Sequence, residues 1–164
     1  MTVGRALHQM LRHPVRFLAT RWNWKAACLS ALMRGGIFFG TALDSGLAPA
    51  ARTLVVDAAF RVPMAGTCAA VIQEVRWAEP SWAAAAIGMV AVPALSHAIE
   101  IAVHVAAATP LVWRGVAASI GLSVVSSAIE LALMRSDVML VGPGSRSLPA
   151  DLRRVMHLAG LHRR

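Results

Sequence analysis

Apolar side chains run almost without interruption from Ser81 to Ala108 and again from Gly115 to Met134. Each run is about as long as the ~20 residues an α-helix needs to cross ~30 Å of hydrocarbon. Two less regular apolar stretches precede them. Residues 26–43 hold Arg34 near the centre, followed by Gly35, Gly36 and Gly40, and residues 49–75 hold Asp57, Arg61 and Pro63. Clusters of turn formers separate the four stretches. The first is Asp44, Gly46 and Pro49, the second is Glu74, Arg76, Glu79 and Pro80 beside Trp77 and Trp82, and the third is Thr109 and Pro110 beside Trp113 and Arg114. The pattern predicts an all-α membrane protein, a bundle of four transmembrane helices at about 26–43, 49–75, 81–108 and 114–135. Residues 26–75 could instead lie on the membrane as amphipathic or re-entrant helices with the same ends inside. The nearly continuous apolar content around Arg34 and Arg61 favours crossing.

Outside this 26–135 domain the pattern changes. In residues 1–25, Leu7, Met10, Leu11, Val15, Phe17 and Leu18 alternate with Arg and His, as in an amphipathic helix resting on a membrane surface. Pro14 breaks that segment in two, and Trp22 and Trp24 mark the interface. Residues 136–164 carry Gly142, Pro143, Gly144 and Pro149, then a helix-capable run from Ala150 to Leu161, expected as a basic tail on the cytoplasmic membrane surface. The start does not read as a cleavable signal, because Arg and His recur up to Lys25 and no small-residue cleavage site follows a clean apolar core.

Composition strengthens the membrane reading. With 57% hydrophobic and 15% charged residues and a mean hydropathy of +0.61, the chain lies outside the usual soluble balance. A net charge of +8 would suit nucleic acid if the cations interleaved with aromatics on one face, but they gather at the two ends. Arg5, Arg12, Arg16, Arg21 and Lys25 precede the first apolar stretch, and Arg135, Arg146, Arg153, Arg154, Arg163 and Arg164 follow the last. That distribution places both termini in the cytoplasm and excludes nucleic acid as the partner. The bias toward Ala and Arg suits a GC-rich bacterial genome, hence a bacterial inner membrane. Cys28 and Cys68 have neither zinc-site nor disulfide spacing and read as small buried hydrophobes.

The ionisable groups inside the apolar stretches are Arg34, Asp57, Arg61, Glu100 and Glu130. Each costs roughly 2.5–3.5 kcal/mol to insert, so such groups face the bundle interior and find partners. Asp57 and Arg61 are four apart and can pair on one helical face. The third and fourth stretches share a pattern at an offset of thirty residues, Ser96-His97-Ala98-Ile99-Glu100-Ile101-Ala102 against Ser126-Ser127-Ala128-Ile129-Glu130-Leu131-Ala132. Because consecutive spans run in opposite directions, Glu100 is expected near Asp57, Arg61 and Arg34, and Glu130 near the inner interface and Arg135. His97, Glu100 and His104 fall at i, i+3 and i+7 on one helical face, a donor set that would suit zinc, iron or another divalent metal, or a haem ligand. The two rings are about 10 Å apart along the axis, too far to share an ion unaided.

Small residues, including Gly36, Gly40, the run Ala83 to Ala86, Gly121 and Ser123, permit close helix packing. No phosphate loop, nucleophile elbow or Cys–His dyad occurs. The expected function is therefore a non-enzymatic scaffold or accessory subunit of a membrane complex, held by the intramembrane charges, without a cofactor. It would partner the lipid bilayer, further copies of itself or other membrane subunits. The alternatives are a proton or cation pathway centred on Glu100, and a metal or haem subunit using His97 and His104.

Overall fold

The computed structural model describes residues 1–32, 46–106 and 113–160. Within these, the side chains of 49–50, 52–54, 56–57, 60, 100, 103–106, 113–119 and 122 are not described. The architecture is all-α. The helices are α1 Val3–Arg12, α2 Pro14–Arg21, α3 at 24–32, α4 Leu47–Val75, α5 Ser81–Ala86, α6 Val92–Ala106, α7 Trp113–Arg135 and α8 Leu148–Leu158. A π-helical turn, Ile87–Ala91, joins α5 to α6. There are no strands among the described residues, and a lone parallel bridge links Thr2 to Glu79. One helical stretch among them, Ser81–Ile99, is long and apolar enough to cross a membrane by length and composition.

The π-turn answers a local conflict. Pro93 has no N–H, and its ring would press on the carbonyl four residues back in a regular helix. The Val92 N–H instead reaches five residues back to the Ile87 carbonyl. One extra residue in a turn rotates all that follows by roughly 100°, and Ser96 and His97 then face the interior. Pro63 sits inside α4, and its carbonyl accepts from both Thr67 Oγ1 (2.8 Å) and Trp22 Nε1 (3.3 Å).

Residues 1–21 form two helices that leave Leu11 and Val15 exposed. Pro14 begins α2 right after α1 ends, as its fixed φ and missing N–H favour. The apolar side of α1, however, lies on protein: Ala6 and Met10 are buried against Val75, Ala78 and Ala84, with Val3, Leu7 and Phe17 packed around them. Thr2 caps α1 through a bond from the Arg5 N–H, and Val3 N donates to the Glu79 carbonyl at 3.0 Å. A second core joins Ala26, Ala69, Ile72, Leu131 and Met134, where α3, α4 and α7 meet.

These contacts bring the chain start, the α4–α5 connection and the segment after α7 to one end of the molecule, hereafter the cap. α3 and α5 leave the cap, while α4 and α7 run into it. Exposed tryptophans ring it: Trp24 (42% exposed), Trp77 (59%) and Trp82 (73%). Cys28 departs from expectation, being exposed on α3, while Cys68 is half-buried.

Candidate functional site

Two polar assemblies occupy the interior. The first is a cavity of about 270 Å³ lined from four helices. Each contributes one face at helical spacing: Ala26, Leu29 and Ser30 from α3; Arg61, Met64, Ala65 and Cys68 from α4; Val92, Pro93, Ser96 and His97 from α6; Ser123, Ser126, Ser127 and Glu130 from α7. His97 Nε2 and Ser123 Oγ are 3.0 Å apart and join α6 to α7. A guanidinium, a carboxylate, an imidazole and five hydroxyls thus line one chamber whose other walls are aliphatic.

Glu130 lines the chamber together with Arg61, while Arg135 donates from Nε to the Arg76 carbonyl at 3.0 Å; the expected grouping of Arg61 with Asp57, Glu100 and Arg34 falls outside the described side chains. Rotation places Glu130 there: it is seven residues from Ser123 and four from Ser126, so it shares their face of α7. Both copies of the shared pattern open on the chamber, through Ser96 and His97 in one helix and Ser126 and Ser127 in the other. Arg34 lies outside the described residues, as do the side chains of Asp57, Glu100 and His104. Among the described residues, no three His, Cys, Asp or Glu side chains are placed to hold a metal ion.

The second assembly, at the cap, was not anticipated from the sequence. Lys25 is 1% exposed, and its Nζ donates to Asp151 Oδ2 (2.6 Å), the Leu140 carbonyl (2.7 Å) and the Arg146 carbonyl (2.6 Å). Of the sixteen Lys and Arg residues in the chain, the other fifteen are Arg. An ammonium directs three donors into a converging trio of oxygens, which a planar guanidinium cannot do. Asp151 is also 1% exposed and stands in the first turn of α8, where the helix dipole favours a negative charge.

Asn23 and Gln73 complete this clasp. Asn23 Oδ1 accepts from the Ala26 N–H at 3.1 Å, which starts α3, while its Nδ2 donates to Gln73 Oε1 (3.3 Å) and the Met139 carbonyl (2.9 Å). Gln73 pairs at two points with the backbone of Val141: Nε2 donates to its carbonyl at 2.7 Å, and Oε1 accepts from its N–H at 2.9 Å. Met139 adopts φ +61°, a left-handed conformation rare for a side chain of its size, as the carbonyls of residues 139, 140 and 141 turn toward three different donors. One signal of the clasp was available in the sequence, since Asp151 is the sole acid after Asp137.

No protein-family model, no curated protein and no solved structure matches this chain.

Proposed function

We propose that the chain is a non-enzymatic, multi-pass protein of the bacterial inner membrane, four helices with both ends in the cytoplasm, acting as an accessory subunit that holds a small polar ligand within the bilayer. The observation that carries this reading is the chamber. Arg61, His97 and Glu130, with five serine hydroxyls, line a space of about 270 Å³ between helices whose remaining walls are apolar. Charged groups at that depth are costly, and those that persist in membrane helices face the interior and serve a site. The cap supports the orientation. Lys25, Arg76, Arg135 and Arg146 all bond within it, and exposed Trp24, Trp77 and Trp82 stand where a membrane–water interface would lie.

Reporter fusions test the membrane placement. A cytoplasm-active reporter works when fused after Arg12 or Leu158 and a periplasm-active one works when inserted after Asp44 or Pro110; the reverse pattern, or soluble recovery of the chain, refutes it. The same chamber supports a second reading, a proton or cation pathway, now centred on Glu130 with His97 beside it instead of on Glu100. In reconstituted vesicles that reading requires pH-driven flux that Glu130→Gln abolishes, and wild-type vesicles without flux dismiss it.

A further inference from the structure

Charge is unevenly shared at the cap. Residues 1–25, 74–82 and 135–160 hold ten Lys and Arg against four acids. Two of those acids are engaged: Asp151 pairs with Lys25, and Glu79 Oε2 accepts from the Ser81 N–H at 3.1 Å, which leaves Glu74 and Asp137. The chain's other acids belong elsewhere. Glu130 lines the chamber, and the Asp57 and Glu100 positions stand roughly 27 Å along their helices from the α4–α5 connection. Gly46, two residues after Asp44, precedes α4 at the end remote from the cap, roughly 43 Å from Val75.

The cations are most open on α1 and α2. Ala6 and Met10 turn one side of α1 to the protein; Arg5, His8 and Arg12, at i, i+3 and i+7, are exposed on the other, and α2 adds exposed Arg16. No acid precedes Asp44, and among the described residues Arg5, Arg12 and Arg16 join no ion pair. Leu11 (79% exposed) and Val15 (80%) flank the corner at Pro14, each followed by an arginine. Exposed tryptophans stand at both ends of this unit. Bonds from Val3 N to the Glu79 carbonyl and from Glu79 N to the Met1 carbonyl hold α1 beside the connection with Trp77 and Trp82, and α2 leads into Trp24.

We propose that the exposed side of α1 and α2 docks on anionic phospholipid headgroups, its arginines meeting phosphates while Leu11 and Val15 enter the layer beneath. The proposal rests on the membrane placement above only for the leaflet it meets, the cytoplasmic one. A polyanion dissolved in water would match the cations but leave Leu11, Val15 and the tryptophans wet; a headgroup layer over acyl chains accommodates both. Each arginine at such a surface is worth roughly fivefold in association.

A polarity-sensitive fluorophore on Val15→Cys, in a Cys28→Ser, Cys68→Ala background of the full chain, tests this in vesicles of phosphatidylcholine with and without phosphatidylglycerol. With phosphatidylglycerol we expect a blue shift and at least threefold weaker quenching by aqueous acrylamide. Arg5→Gln, Arg12→Gln and Arg16→Gln together should return the label to its phosphatidylcholine state. Raising salt from 0.1 to 1 M, which shortens the screening length from ~10 Å to ~3 Å, should do the same without any of these substitutions. A label equally buried, or equally wet, in the two lipid compositions overturns the proposal. An equal shift on adding single-stranded DNA in detergent, without lipid, would make this a general polyanion surface and overturn the lipid assignment. If the chain is recovered soluble, the four spans are refuted, yet a phosphatidylglycerol-dependent shift on mixing it with vesicles upholds this surface. An integral chain whose label ignores phosphatidylglycerol refutes the surface and leaves the spans standing.

Discussion

Replacing Asp151 with Ala gives the clearest test of how the cap is held. The substitution leaves the Lys25 ammonium 1% exposed with two carbonyls, Leu140 and Arg146, in place of two carbonyls and a carboxylate. Removing one partner of a buried ion pair costs roughly 3–5 kcal/mol, and the two remaining acceptors argue for the lower end, about 3 kcal/mol. At about 1.4 kcal/mol per factor of ten, the equilibrium between docked and undocked tail shifts by roughly 150-fold. Lys25→Met should cost more, because it strips a donor from the carboxylate and from both carbonyls at once. The double variant Lys25→Met with Asp151→Leu removes both charges. It should be more stable than the sum of the single effects by at least about 2 kcal/mol, well above the ~0.2–1 kcal/mol of an exposed pair. Protease cleavage after Arg153 or Arg154, followed through a C-terminal epitope in mild detergent, reads tail undocking directly. A cost below about 1 kcal/mol for Asp151→Ala, with coupling within about 0.5 kcal/mol of zero, would refute a dry, buried ion pair at this position.

Three further outcomes are expected. Lys25→Arg should destabilise the tail in the same protease assay by at least about 1 kcal/mol despite keeping the charge, because a planar fork cannot reach three converging oxygens; wild-type resistance would contradict this. A Cβ at Gly66 would collide with the Trp22 indole, so Gly66→Ala should lower thermal stability by about 1–3 kcal/mol and raise Trp fluorescence exposure, whereas unchanged melting would show that the ring has room to move. In the proposed membrane setting His97→Ala and Ser123→Ala should each cost about 0.6 kcal/mol, the usual worth of an interhelical hydrogen bond there. Their effects should be non-additive in a thermal-melt cycle, and strict additivity would remove the contact.

The helical content was legible because long apolar runs bounded by Gly and Pro allow little else, and the third run is helical from Ser81 to Ala106 apart from its π-turn. The π-turn was not legible: Pro93 warned of a defect, but periodicity does not say whether a helix kinks, stops or widens. Arg61, His97 and Glu130 were singled out because charge and imidazole are conspicuous among Ala and Val. That Arg61, His97 and Glu130 would share one chamber was not read, because depth along a helix was weighed without its rotation. The seven-residue spacing of Ser123 and Glu130 carried the missing information. Asn23, Gln73 and Asp151 escaped notice for a different reason. Each is unremarkable at its own position and acquires a role only through partners far along the chain, as between Asn23 and Gln73, fifty residues apart.

The Lys25 clasp also sets an order of events. All three oxygens that receive its protons belong to residues 115 to 126 positions later in the chain. While the polypeptide is being made, the N-terminal segment and α3 can take up their places against α4, yet the one lysine among them has nothing to hold. Its charge is met only when α8 arrives. A chain cut short before Asp151 would carry, at the start of α3, an ammonium with no anion in its clasp. Lys25 thereby makes the arrival of α8 a condition of the cap's stability, and distinguishes chains that carry Asp151 from those that stop before it.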